Sequence, residues 1–144
     1  MTLDDIMEEW KKDCNLDRTE LGEESLKIPK LHHKYYQMFS RERLLLKKYE
    51  SEMKRLKLDK YEFYTMGPSD ESRSKGWTIP ARGMILKSDV SMYMEADPDI
   101  IETNLKISYQ QEKTEVLESI IKSFVGRGFN IKAAIEFEKF KMGA

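Results

Sequence analysis

Apolar residues recur along this chain mainly at three- and four-residue intervals, a spacing that predicts helices over most of its length. Thr2 followed by Asp5 forms a capping-box variant, and Leu3, Ile6, Met7 and Trp10 then fall at i, i+3, i+4, i+7. A short amphipathic helix to about Asp13 is expected. Asp17 with Glu20 repeats the start signal, and Pro29, a poor helix-interior residue, predicts that this second short helix ends near Lys27. From Lys30 to about Tyr64 there is no Gly or Pro, and Leu31, Tyr35, Met38, Leu45, Tyr49, Leu56 and Phe63 keep a heptad spacing with Glu42, Glu52 and Asp59 at the skipped positions. Phe39, Leu46 and Met53 widen that seam into a face suited to a bundle.

Residues 66–76, MGPSDESRSKG, have no apolar periodicity and predict a flexible loop. Between Trp77 and Met94, short apolar runs broken by Pro80 and Gly83 suggest a small hairpin or irregular strands. Asp97 before Pro98 predicts the start of a second long helix over about 98–125. Gly126-Arg127-Gly128 predicts a stop, and Asn130 opens a last helix with Ile131, Ala134, Ile135, Phe137 and Phe140. The expected fold is mainly α, a helical bundle with two long helices and a small irregular or β segment near 77–94.

Composition changes this picture in one respect. Of the 144 residues, 35% are charged and 40% hydrophobic, so surface is large relative to core and exposed helices or assembly are favoured. No run of 18 apolar residues occurs, and the acidic start MTLDDIMEEW is unlike a signal peptide, which predicts a soluble intracellular protein without a membrane segment. The net charge of −1 hides an uneven distribution. Residues 1–25 hold nine acids and three bases, and residues 26–60 hold eleven bases and four acids. A basic stripe of this kind suggests a polyanion partner, because clustered Lys and Arg release counterions condensed on a phosphate backbone. The plainer reading is that the acidic head neutralises the stripe.

Little points to catalysis. His32 and His33 are adjacent, about 100° apart on a helix, and do not form an i, i+4 metal pair. Cys14 is a single thiol with no nearby cationic cluster. No nucleophile signature, Gly-rich phosphate loop or Walker motif accompanies the carboxylates, so no catalytic residue, metal site or cofactor is assigned. The segment 54–64 is more informative. Lys54, Arg55, Lys57 and Lys60 precede or interleave with Tyr61 and Tyr64, and Lys57, Lys60, Tyr61 and Tyr64 sit at i, i+3, i+4, i+7. One face would then offer ammonium groups for phosphates beside phenol rings for unpaired bases, as sequence-tolerant single-strand binding requires. The alternative is that the tyrosines are core residues rimmed by lysine.

MTLDDIMEEWKKD at the start, KLDKYEFYTMG, Leu-Lys-Ser-Asp at 86–89, Ala-Asp-Pro-Asp at 96–99 and the ending KSFVGRGFNIKAAIEFEKF, in this order and spacing, resemble the UvsY family of recombination mediators of T4-like bacteriophages. The resemblance implies a non-enzymatic protein of the infected host's cytoplasm that binds single-stranded DNA as a ring-like or barrel-like homo-oligomer, a hexamer or heptamer. It also implies that the protein helps a RecA-like phage recombinase displace the phage single-strand DNA-binding protein. A family basic pair ahead of the tyrosine-rich segment is matched here by Lys57 and Lys60. The family pair is spaced by two with arginine second, whereas here the spacing is three and both are lysine, so the cluster with Lys54 and Arg55 carries the likeness rather than a pair.

The family's C-terminal region is associated with oligomerisation, which would fall to Ile120, Ile121, Phe124, Phe129, Ile131 and Ile135. This divides the chain into an N-terminal helical DNA-binding region, 1–96, and a C-terminal helical oligomerisation region, 97–144, within what can be one continuous domain. The competing expectation is a helical adaptor or structural oligomer that does not touch nucleic acid.

Overall fold

In the computed structural model, which describes residues 1–79 and 85–143, five α-helices and one 3-10 turn follow one another in the order α1 Leu3–Asp13, α2 Leu21–Met66, α3 Asp70–Ser74, the 3-10 turn Lys87–Asp89, α4 Val90–Glu95 and α5 Pro98–Lys141. The mainly α expectation holds, with two long helices. Two compact units are drawn from these elements, residues 1–44 with 110–144 and residues 45–109.

In the first unit, α1 starts as its sequence requires. The Thr2 hydroxyl accepts from Asp5 N–H and the Asp5 carboxylate accepts from Thr2 N–H, satisfying two amides at the helix start. Its apolar face then packs Ile6 and Trp10 on Tyr35 and Met38 of α2 and on Leu117, Ile120 and Phe124 of α5. The Trp10 ring meets both Tyr35 and Phe124 edge to face, at centroid distances of 5.7 and 5.6 Å.

The two expected helix breaks in this unit do not occur. α2 runs through Pro29, and α5 runs through Gly126 and Gly128. Pro29 leaves the Ser25 carbonyl without its usual donor, but Ser25 is exposed and water can serve it. Ile28 and Leu31 pack on the core to either side, and such burial outweighs a local penalty of about 3 kcal/mol. At the glycines, the buried Arg127 holds the helix in place. Its Nη1 donates to Asp13 O at 2.8 Å, and its Nη2 lies 3.4 Å from Asn15 O and 3.7 Å from Glu24 Oε2. Two interior glycines cost about 1 kcal/mol each, and ending the helix there would forfeit these interactions.

In the second unit, α2 ends where Gly67 takes a left-handed conformation, φ +87°, with its N–H on Phe63 O. Residues 66–76, expected as a loop, contain the single-turn helix α3, capped by Ser69 and Ser72 in a reciprocal box. Trp77 then returns to Phe63. The hairpin or irregular strands expected near 77–94 give way, in its described part, to the 3-10 turn and α4; Pro80, Gly83 and Met84 lie outside the described residues. The core here is Phe63, Tyr64 and Val90, with Trp77, Ile79, Ile85, Tyr93 and Met94 packed around them.

Candidate nucleic-acid interface

Segment 54–64 lies entirely within α2 of the second unit, and the structure separates its residues into two sets. Lys54, Lys57, Leu58 and Tyr61 share one exposed strip of the helix. Among the described residues of this unit, Lys54 and Lys57 have no acidic partner. Arg55 is also exposed but lies about 160° round the helix from Lys57, where it pairs with Asp59 at 3.8 Å.

Lys60 and Tyr64 face inward. Lys60 is only 3% exposed, with Nζ 3.0 Å from Asp97 Oδ2, 2.8 Å from Asp99 Oδ2 and 3.9 Å from the centroid of the Trp77 ring. Tyr64 donates its hydroxyl to Asp97 Oδ2 at 2.6 Å. Asp97 also caps α5, its Oδ1 accepting from the backbone N–H of Asp99 and Ile100. Burial opposes ionisation of Asp97, but Tyr64, Lys60 and the Ile100 amide outweigh it and hold the carboxyl below the ordinary carboxylate value. Burial and the bond to Asp97 raise the Tyr64 phenol well above its ordinary value. This cluster is a buried clamp, and its chemistry is structural.

The exposed strip borders a groove of about 490 Å³. Lys57 and Tyr61 line one part of it, Val90 and Ile100 are its most buried lining residues, and Lys87 and Asn104 reach it from the 3-10 turn and α5. Lys87 is a residue that charge counting over 26–60 passes over, although it stands in the Leu-Lys-Ser-Asp stretch.

The acidic head engages only part of the basic stripe within the first unit. Glu9 and Asp13 both pair with Lys34, at 2.8 and 2.6 Å, and Glu24 pairs with Lys27 at 2.9 Å. His32 and His33 are exposed, and the His32 ring stacks on Tyr36. Cys14 is exposed and free, its thiol donating to Lys11 O. Among the described residues no group of His, Cys, Asp and Glu gathers as metal ligands, and no helix is long and apolar enough to cross a membrane.

A family model described as recombination, repair and ssDNA binding protein UvsY matches residues 9–144. The chain belongs to the UvsY family. Its fold is shared by crystal structures of the bacteriophage T4 recombination mediator protein UvsY. The lattice type II form superposes with a TM-score of 0.80 at 23% identity, over 99% of this chain and 98% of that one. For lattice type IV the score is 0.77 at 20% identity, over 98% and 99%. For lattice type I it is 0.76 at 24% identity, over 95% and 98%. No curated protein matches.

In this UvsY-family chain the structure places the residues expected at the site in different settings. The pair Lys57 and Lys60 is split, since only Lys57 is presented to solvent, and Tyr64 leaves the surface with Lys60. The cause is Asp97 and Asp99, more than thirty residues away in sequence, whose carboxylates draw Lys60 under Trp77. Of the six apolar residues expected at the oligomer interface, Ile120 and Phe124 belong to the first unit's core and Ile131 is buried, while Ile121 and Ile135 are partly buried. Phe129 is 72% exposed and stands with the exposed Val125, Phe137 and Phe140 along α5. The apolar residues of α5 thus form two bands, one spent on the core and one left on the surface.

Proposed function

We propose that this protein is a recombination mediator that grips single-stranded DNA with the Lys54–Lys57–Tyr61 strip of α2, presented in several copies by a homo-oligomer. The observation that carries the reading is that strip: two ammonium groups with no acidic partner among the described residues of their unit, beside an exposed phenol ring on one helical face. The family's description as a recombination, repair and ssDNA binding protein supports it. One strip meets few phosphates and would be weak and salt-sensitive alone. Copies held together raise the effective concentration of each remaining strip once one has bound, so assembly supplies the affinity. The exposed C-terminal row of Val125, Phe129, Phe137 and Phe140 is the surface that would assemble them, since isolated soluble chains rarely leave so many large apolar groups along one helix uncovered.

On this reading a strand bent over adjoining strips is held by its backbone and a few base faces. That geometry disfavours a competing phage single-strand DNA-binding protein while leaving the strand open to a RecA-like recombinase in the host cytoplasm. The mediator performs no bond-making step.

Fluorescence anisotropy of a labelled single-stranded oligonucleotide tests the reading. Binding is expected to weaken steeply between about 50 and 200 mM salt. The combined Lys54→Ala, Lys57→Ala variant should bind more weakly with a shallower salt dependence, while its far-UV circular dichroism stays that of the wild type. A helical adaptor would show neither effect.

A further inference from the structure

The exposed strip explains how phosphates are met but leaves the groove beside it, and Lys87, without a role. We propose that this groove is a nucleobase site, in which an unpaired base enters between Tyr61 and α4 and Lys87 holds a phosphate of the same nucleotide unit opposite Lys57. The proposal rests on the single-strand reading above and extends it from a charged strip to a built cleft.

Three features of the groove fit a nucleotide. Its volume, about 490 Å³, lies in the range of roughly 300–1,000 Å³ found for small-ligand clefts. Its lining joins the buried side chains of Val90 and Ile100 and the partly buried Met94 to the exposed Tyr61, an apolar surface with a ring at its edge. A base, apolar on both faces, gains by leaving water for such a surface. Around it stand Lys57 and Lys87, from α2 and the 3-10 turn, with Asn104 of α5, whose amide can both donate to and accept from a base edge.

Two cations from separate elements bordering one apolar cleft suit a ligand that is anionic at its ends and flat and apolar in the middle. Glu95 is the one carboxylate among the described lining residues. It repels phosphate and accepts hydrogen bonds from exocyclic amino groups, which orients a base with its edge toward α4 and its backbone toward the lysines. Lys87 is exposed, so it is available to a phosphate without breaking a buried pair.

The full-length protein is titrated by anisotropy with a labelled oligodeoxynucleotide and with one of equal length whose central positions are abasic. Wild-type protein should bind the abasic strand about fivefold or more weakly, the loss typical of a base–aromatic stack. Lys87→Ala should weaken binding to both strands and reduce the slope of log affinity against log salt by about 0.7 for each phosphate it no longer neutralises. Ser91→Trp, which fills the groove from α4, should weaken binding to the base-bearing strand and leave the abasic strand unchanged. Asn104→Ala, a truncation of an exposed side chain, should do the same if Ser91→Trp does not fold. Wild-type affinity of Lys87→Ala and Asn104→Ala for both strands, alongside weakened binding by the Lys54→Ala, Lys57→Ala variant, would overturn the groove and leave the strip. Failure of the wild-type protein to bind either strand would remove both.

Discussion

The Tyr64 hydroxyl donates to Asp97 Oδ2 at 2.6 Å, joining the last turn of α2 to the residue that caps α5. Asp97 spends one oxygen on two backbone amides and the other on Tyr64 and Lys60. An N-cap legible in the sequence is thereby also the counter-ion of a lysine that charge patterning assigned to DNA.

This clamp separates folding from binding. Tyr64→Phe removes one hydrogen bond to a charged acceptor that keeps its other donors, and should cost about 1.5 kcal/mol. Lys60→Met breaks a buried ion pair and removes the cation from the Trp77 face, and should cost about 3 kcal/mol or more. Thermal unfolding at fixed protein concentration measures both. Well below the unfolding temperature, Lys60→Met should bind single-stranded DNA as the wild type does, whereas Lys57→Ala should not. Equal losses of DNA binding in the two variants would return Lys60 to the interface.

Stability should depend on pH at both ends of the scale. Burial would raise the carboxyls of Asp13 and Asp97, but Lys34 and Tyr35 at the first and Tyr64 and Lys60 at the second hold both below the ordinary 3.8. Their contribution is present above that value and is lost as pH falls through the lowered folded-state values. Burial and the bonds to these same carboxylates raise Tyr35 and Tyr64 above the ordinary 10.0. Their contribution is present below that value and falls once the unfolded chain's phenols ionise above it. The unfolding temperature measured across pH should therefore drop below about pH 4 and above about pH 10. Asp97→Asn should flatten part of the acid-side drop, and Tyr64→Phe part of the alkaline one.

Continuity of α5 through its glycines is directly testable. A Cβ added at Gly126 meets no atom within 4 Å, and the residue is helical without a positive φ. Gly126→Ala should then stabilise the protein by about 0.5–1 kcal/mol, a rise of roughly 2–3 °C in the unfolding midpoint. A helix that stopped at this glycine in a left-handed turn would instead be destabilised by alanine.

Arg127 should be the more sensitive neighbour. Its removal leaves Lys27 as the remaining cation beside the buried Glu24 and takes a donor from the Asp13 and Asn15 carbonyls, so Arg127→Ala should cost about 3 kcal/mol. Urea unfolding read by Trp10 fluorescence would register it, since Trp10 packs on the same core.

The C-terminal surface row predicts a change in mass. Phe129→Asp with Phe140→Asp should shift light-scattering mass toward that of a 17.1 kDa chain while helix content persists, because both side chains lie outside the core. The same variant should lose DNA affinity out of proportion to any change in the strip. Unchanged mass would place the assembly surface elsewhere.

Local signals that depend on few neighbours were readable in the chain. The Thr2–Asp5 box, the Asp97–Pro98 start and the unbroken periodicity after Lys30 are each satisfied by adjacent backbone, so the residues alone determined a mainly α protein with two long helices. The order of short motifs likewise carried the UvsY family. What neighbours supply from a distance was decided only by the fold. Pro29, Gly126 and Gly128 disfavour helix locally, but packing at Ile28 and Leu31 and the hydrogen bonds of Arg127 exceed those penalties. Lys57 and Lys60 are one helical turn apart and alike as letters. One remains in water and the other is buried, because a buried lysine requires a carboxylate, and only the return of Asp97 and Asp99 to α2 brings one within reach.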